Sequence, residues 1–146
     1  MGSEMCIRDS LGTTKVTPGK NPDLRDRPGV QASVSQAKAE LSSARMYLYH
    51  CVDLLWAAVK DGQAPDKPML SDVWSAAIHA ATTSRQVLSN LYAAAGTVSL
   101  YNHFPIERAH RDIHAVLQHG IVQPHWLNQT GLVYMGSERV SPMFET

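Results

Sequence analysis

From about Val30 to Lys60 the apolar residues Val34, Ala37, Leu41, Ala44, Leu48, Cys51 or Val52, Leu55 and Ala58 or Val59 recur at alternating spacings of three and four. That is the period of one buried face of an α-helix. At 1.5 Å per residue the segment makes a rod of ~45 Å, the full height of a helix bundle rather than a surface helix on a sheet. Gly62 and Pro65 are placed to end it.

The same reasoning extends along the chain. Ser71 is a plausible N-cap for a second helix, with Asp72 near the positive end of its dipole. Its inward stripe would be Val73, Ala77, Ala80 or Ala81, Ser84, Leu88, Leu91 and Ala95, mostly small residues, with Gly96 as a left-handed stop. Pro105 suits the first turn of a third helix whose inward face carries Ile106, Ala109 or His110, Ile113, Val116 or Leu117 and Gly120. After a break at Gly120 and Pro124, a fourth helix is expected from near Val122 to about Met135, stopped by Gly136. No segment alternates with period two for long enough to make a strand. The predicted fold class is therefore all-α, an antiparallel up-down four-helix bundle over residues 29–136, with a C-terminal tail over 137–146.

Residues 1–28 are polar and broken by Gly and Pro, and they are expected to form a leader and interdomain linker rather than core. The first ten, MGSEMCIRDS, match nothing downstream in character and are expected to be an artefact. A connector at the front of a one-domain chain suggests that other domains precede it.

Composition narrows the function. In 146 residues, 13 Lys plus Arg balance 13 Asp plus Glu, which leaves no charge excess for nucleic acid or an anionic membrane. Cys6 and Cys51 are too far apart in sequence and character to suggest a secreted disulfide framework, and no apolar run approaches the ~20 residues of a membrane span. A soluble protein of the cytoplasm is expected.

The chemistry-bearing residues concentrate between Asn90 and His119, NLYAAAGTVSLYNHFPIERAHRDIHAVLQH. The loop with Gly96, Thr97, Ser99 and Asn102 lies before a helix N-terminus, where backbone N–H groups and small polar side chains can hold a phosphate. On composition alone an ordinary capped connection between antiparallel helices accounts for it better than a phosphate site does. Glu107 and Arg111 have the spacing of a surface ion pair, and Arg108, Arg111 and Asp112 share one turn. His110 and His114 stand four apart, yet no Glu separates them as in HExxH and no third ligand follows at a familiar spacing, so metal binding is not expected.

The order Gly96, Pro105, Glu107, Arg108, Arg111, Asp112 resembles the flavin-contacting region in the C-terminal helical domain of the acyl-CoA dehydrogenase superfamily. Within it, the two histidines of RDIHAVLQH resemble the flavin-dependent monooxygenase branch, of the 4-hydroxyphenylacetate hydroxylase and dibenzothiophene monooxygenase type. The sequence departs from the dehydrogenases in two places: AAAG replaces their Gly-Gly pair, and Gly120 stands about where many of them carry a catalytic Glu. The resemblance implies that Gly96, Thr97, Arg108, Arg111 and Asp112 contact FMN or FAD. It makes His119 the active-site base or hydrogen-bond partner, with His114 in reserve. It further implies absent N-terminal and central domains, a homotetramer and a separate flavin reductase. Two other readings remain: an acyl-CoA dehydrogenase acting on CH–CH groups, and a non-catalytic helical assembly module.

Overall fold

A computed structural model describes residues 23–102 and 104–144. Most of the expected leader, and the last residues of the expected tail, lie outside the described residues. The described chain is all helical, with no strand among the described residues. Its four α-helices are α1 (Pro28–Lys60), α2 (Lys67–Ala95), α3 (Pro105–Val116) and α4 (Trp126–Tyr134), with 3-10 turns at Leu24–Asp26, Gly96–Leu100, Gly120–Val122 and Pro142–Phe144. None of the described helices is long and apolar enough to cross a membrane.

The helix ends follow from local chemistry. Pro28 opens α1, where its missing N–H costs no hydrogen bond. Gly62 closes it at φ +76, with the Gly62 N–H donating to the Val59 carbonyl and the Gln63 N–H to the Ala58 carbonyl, which satisfies two end-of-helix acceptors. Gly136, at φ +71, ends α4 by the same pattern through Val133 and Leu132. The start of α2 differs from expectation. Its cap is Asp66, whose Oδ1 accepts from the Met69 N–H at 2.9 Å, so the helix begins a turn before Ser71. Ser71 is instead buried, and its hydroxyl has no hydrogen-bond partner among the described residues.

The chain packs as two compact units, and α1 and α2 each contribute to both. Among the described residues, the first unit takes in those from Asp23 to Ser42 together with those of Thr83–Val116. Its core joins Val30 and Ala37 of α1, Val87, Leu91 and Ala95 of α2, and Ile106 of α3, with Val34, Leu41, Val98 and Phe104 packed around them. Early α1 thus meets late α2, the antiparallel pairing that the two stripes require. Leu24, assigned by its surroundings in sequence to the linker, is 2% exposed and belongs to this core.

The second unit takes in Ser43–Thr82 together with the described residues from Leu117 to Phe144. Ala44, Cys51, Ala76, Ile78, Thr130 and Phe144 are buried in it. The half-buried Trp74 packs against two other aromatic rings, with centroids 4.9 Å from Trp126 and 5.8 Å from Phe144. The Trp126 indole N–H donates to the Gly120 carbonyl at 2.8 Å, so its polar edge is satisfied. Helix α4 begins at Trp126 rather than near Val122 because Gln123, the residue before Pro124, is held extended at φ −70 and ψ 132, out of helical conformation. The segment after Gly136 does not trail free: the Ser141 N–H donates to Gln129 Oε1 at 2.8 Å, and Phe144 is fully buried within its own unit.

Candidate functional site

The 3-10 turn Gly96–Leu100 joins α2 to α3 within the first unit. Gly96 has φ +62, the left-handed conformation that favours glycine, and a Cβ there would meet nothing within 4 Å. Backbone conformation, not crowding, is what demands glycine here. Ser99 is buried and donates to the Gly96 carbonyl at 2.6 Å, which fixes the turn from inside. Thr97 stays exposed, as do Leu100 and Tyr101 at 66% and 58%.

Helix α3 is anchored by Ile106, its one fully buried side chain, and presents its charges outward. Arg111 lies 3.8 Å from Glu107, the ion pair its spacing predicts. Arg108 lies 3.4 Å from Asp112, a pairing not anticipated, so Asp112 answers a neighbouring guanidinium. With side chains 78% and 70% exposed, both arginines remain accessible to a ligand, and each pair adds only tenths of a kcal/mol to the fold.

Between the helices, Tyr92 of α2 stacks on His110 of α3 with centroids 4.4 Å apart, and the His110 ring meets His114 edge-on at 5.0 Å. Burial, and then the nearby His114, push the His110 pKa down, with Glu107 opposing them. Sequence reading gave Tyr92 no role, because nothing in its own periodicity points to a partner on another helix. Among the described residues no group of three or more His, Cys, Asp or Glu side chains is placed to hold a metal ion. A groove of about 490 Å³ on α1 and α2 of the same unit, edged by Ser33, Gln36, Glu40 and Asn90, contains none of the candidate residues.

His119 is not on the helix. Helix α3 stops at Val116, and Gln123 Nε2 donates to the Leu117 carbonyl at 2.6 Å, closing the helix end with a side chain from beyond Gly120. His119 caps the turn Gly120–Val122, its Nδ1 accepting from the Ile121 N–H at 3.3 Å. A neutral imidazole that accepts at Nδ1 carries its proton on Nε2. The exposed edge of His119 therefore offers an N–H donor. His114, by contrast, belongs to the first unit with Gly96, Thr97, Arg108, Arg111 and Asp112, whereas His119 belongs to the second.

Residues 6–124 match the family described as acyl-CoA dehydrogenase, C-terminal domain. The chain belongs to this family. Its match begins inside the leader and takes in α1, α2, α3 and His119. Among individual proteins, the acyl-CoA dehydrogenase C-terminal domain seen here is 29% identical over 127 residues to an indole-3-acetate monooxygenase of Acinetobacter baumannii, covering 84% of this chain and 33% of that protein. It is 27% identical over 117 residues to an indole-3-acetate monooxygenase of Pseudomonas putida, covering 80% of this chain and 30% of that protein. The chain thus spans about a third of the length of these curated relatives.

Proposed function

We propose that this chain is the C-terminal domain of a flavin-dependent monooxygenase of the two-component type, one that receives reduced FMN or FAD from a separate reductase. The observation that carries the reading is the likeness to indole-3-acetate monooxygenases over more than four fifths of the chain. On this view the segment before Leu24 connects the bundle to other domains of the same protein, and the enzyme works in the cytoplasm as a homotetramer.

The residues present fit a flat, anionic cofactor. The open space beside Gly96 admits an approaching ligand, Thr97 supplies a hydroxyl, and the Arg108 and Arg111 guanidiniums supply accessible positive charge. Leu100 and Tyr101 add exposed apolar surface beside the turn. When bound, the reduced flavin supplies the electrons with which O₂ is activated. Asp112 holds the Arg108 guanidinium in place, and Glu107 does the same for Arg111. His119, with Nδ1 engaged by the Ile121 N–H, would donate a hydrogen bond from Nε2 to an oxygen in the reaction centre; acting as a base requires it to give up that backbone contact first.

The test uses an intact protein that carries this domain, supplied with reduced flavin, ¹⁸O₂ and indole-3-acetate as probe. One ¹⁸O atom should enter the product, and His119→Ala should cut turnover on the order of 10²-fold or more without altering assembly. Turnover unchanged in His119→Ala removes that residue from the mechanism. Reduction of the bound flavin by an acyl-CoA, with no reductase present, would replace the proposal with a dehydrogenase.

A further inference from the structure

His119 is exposed and precedes a 3-10 turn of three residues, Gly120–Val122, a form whose own hydrogen bonds have poorer geometry than those of an α-helix. Its local bonds are modest: the Val122 N–H donates to the His119 carbonyl at 3.1 Å, and the Ile121 N–H to His119 Nδ1 at 3.3 Å. The Ile121 N–H belongs to the same peptide unit as the Gly120 carbonyl, and that carbonyl accepts from the Trp126 indole N–H at 2.8 Å. A peptide unit is planar and rigid, so fixing its oxygen also aims its N–H. Trp126, this peptide and His119 Nδ1 thus form one hydrogen-bonded relay in which each bond polarises the next. The indole is itself held in place. Its ring packs on Trp74, Trp74 packs on the fully buried Phe144, and the segment before Phe144 is tied down by the Ser141 N–H on Gln129 Oε1.

We propose that Trp126 is a positioning residue for His119. Its N–H, braced through Trp74 and Phe144 by the C-terminal segment, orients the peptide that occupies Nδ1 and so leaves Nε2–H as the group His119 presents outward. Gln123 holds the other side, its Nε2 donating to the Leu117 carbonyl, so the backbone is fixed two residues before His119 as well as one after it. A donor that must meet a reacting oxygen has to be held to within about 0.5 Å, and an exposed side chain beside a short turn reaches that through such outside bonds. Packing on Trp74 needs only an aromatic ring; the indole N–H is the part of Trp126 that this role requires.

The inference rests on the reading of His119 as a hydrogen-bond donor in the proposed monooxygenase, and the two fail separately. Nitrogen NMR on the full chain should show neutral His119 as one tautomer, protonated at Nε2, with the Trp126 indole N–H and the Ile121 amide both protected from exchange. Trp126→Phe keeps a ring against Trp74 and deletes the donor. It should admit the second His119 tautomer and speed Ile121 amide exchange by about tenfold or more, with the helical circular dichroism spectrum unchanged. Leu127→Ala, one residue on and 45% exposed, should change neither. Unchanged His119 resonances and Ile121 exchange in folded Trp126→Phe overturn the proposal. A freely exchanging Trp126 indole N–H in the parent chain overturns it too, whether or not the variant folds. In an intact protein that carries this domain, Trp126→Phe should lower kcat by about tenfold or more with little change in KM. A normal kcat beside a disturbed His119 keeps the relay and defeats the reading of His119 itself.

Discussion

Phe144→Ala tests whether the C-terminal segment is part of the folded unit. The phenyl ring is fully buried, 5.8 Å from Trp74 at an interplanar angle of 44°, so truncation removes a completely packed side chain and its aromatic contact. Such a change costs about 3–5 kcal/mol, because the transfer free energy of the ring is lost and the surrounding side chains close the gap only in part. For a domain of this size each kcal/mol lowers Tm by roughly 3–4 °C, so a fall of about 10–20 °C is expected. Thermal unfolding followed by circular dichroism at 222 nm reads it directly. Met143→Ala, one residue earlier and 53% exposed, should lie within about 0.5 kcal/mol of the parent and serves as the control. Since Phe144 packs within its own chain, the loss should not depend on protein concentration. A Tm within about 2 °C of the parent would refute the burial argument.

Three further outcomes follow from the geometry. In an NMR titration His110 should protonate below the usual histidine range, and His114→Gln should raise its pKa only partway, because burial, the larger cause, remains. A folded-state pKa below the unfolded value means a stability contribution that is present above the unfolded pKa and lost as pH falls through the folded one; an ordinary or raised pKa for His110 would contradict this. Tyr134 is pushed up to about 12, by burial first and then by its contacts with Asp72, to which it donates a hydrogen bond at 2.7 Å. Its phenol should therefore ionise late in an absorbance titration at alkaline pH and earlier in Asp72→Asn. The associated stability is present below the unfolded phenol pKa and lost as pH rises through about 12, and no late phenol in the parent would defeat the assignment. Ser71→Ala should be neutral or stabilising by up to ~1 kcal/mol, since it removes a buried hydroxyl without a partner; a loss above ~1 kcal/mol in chemical denaturation would reveal one.

The long helices were legible because their signal is repeated. Ala37, Ala44 and Cys51 on α1, and Leu88, Leu91 and Ala95 on α2, fall where the period places them and are buried. The α2 stripe was drawn less well: Ala76, Ile78 and Val87 are buried, while Val73, Ala77 and Ser84 are only partly so. Its small residues give a weak contrast between faces. Single-residue events were harder to read. Asp66 displaced Ser71 as the cap because both are good acceptors and only the path of the chain chooses between them. His119 left the helix because Gln123 closes its end, a bond made by a side chain beyond the expected boundary. Leu24 and Phe144 entered the cores from segments whose polar surroundings looked like linker and tail. Within the candidate site, the cluster on α3 and the turn at Gly96 could be anticipated from local order, whereas the Tyr92–His110 stack joins residues on different helices.

The division of labour on α3 bears on how proteins of this family diversify. One residue, Ile106, fastens the helix to its core, and Arg108, Arg111, Asp112 and His114 project away from it. Replacing an exposed side chain usually shifts stability by no more than ~0.5 kcal/mol, well inside the margin of a folded domain. Substitutions on this face can therefore change what it presents to solvent while the helix stays docked through Ile106.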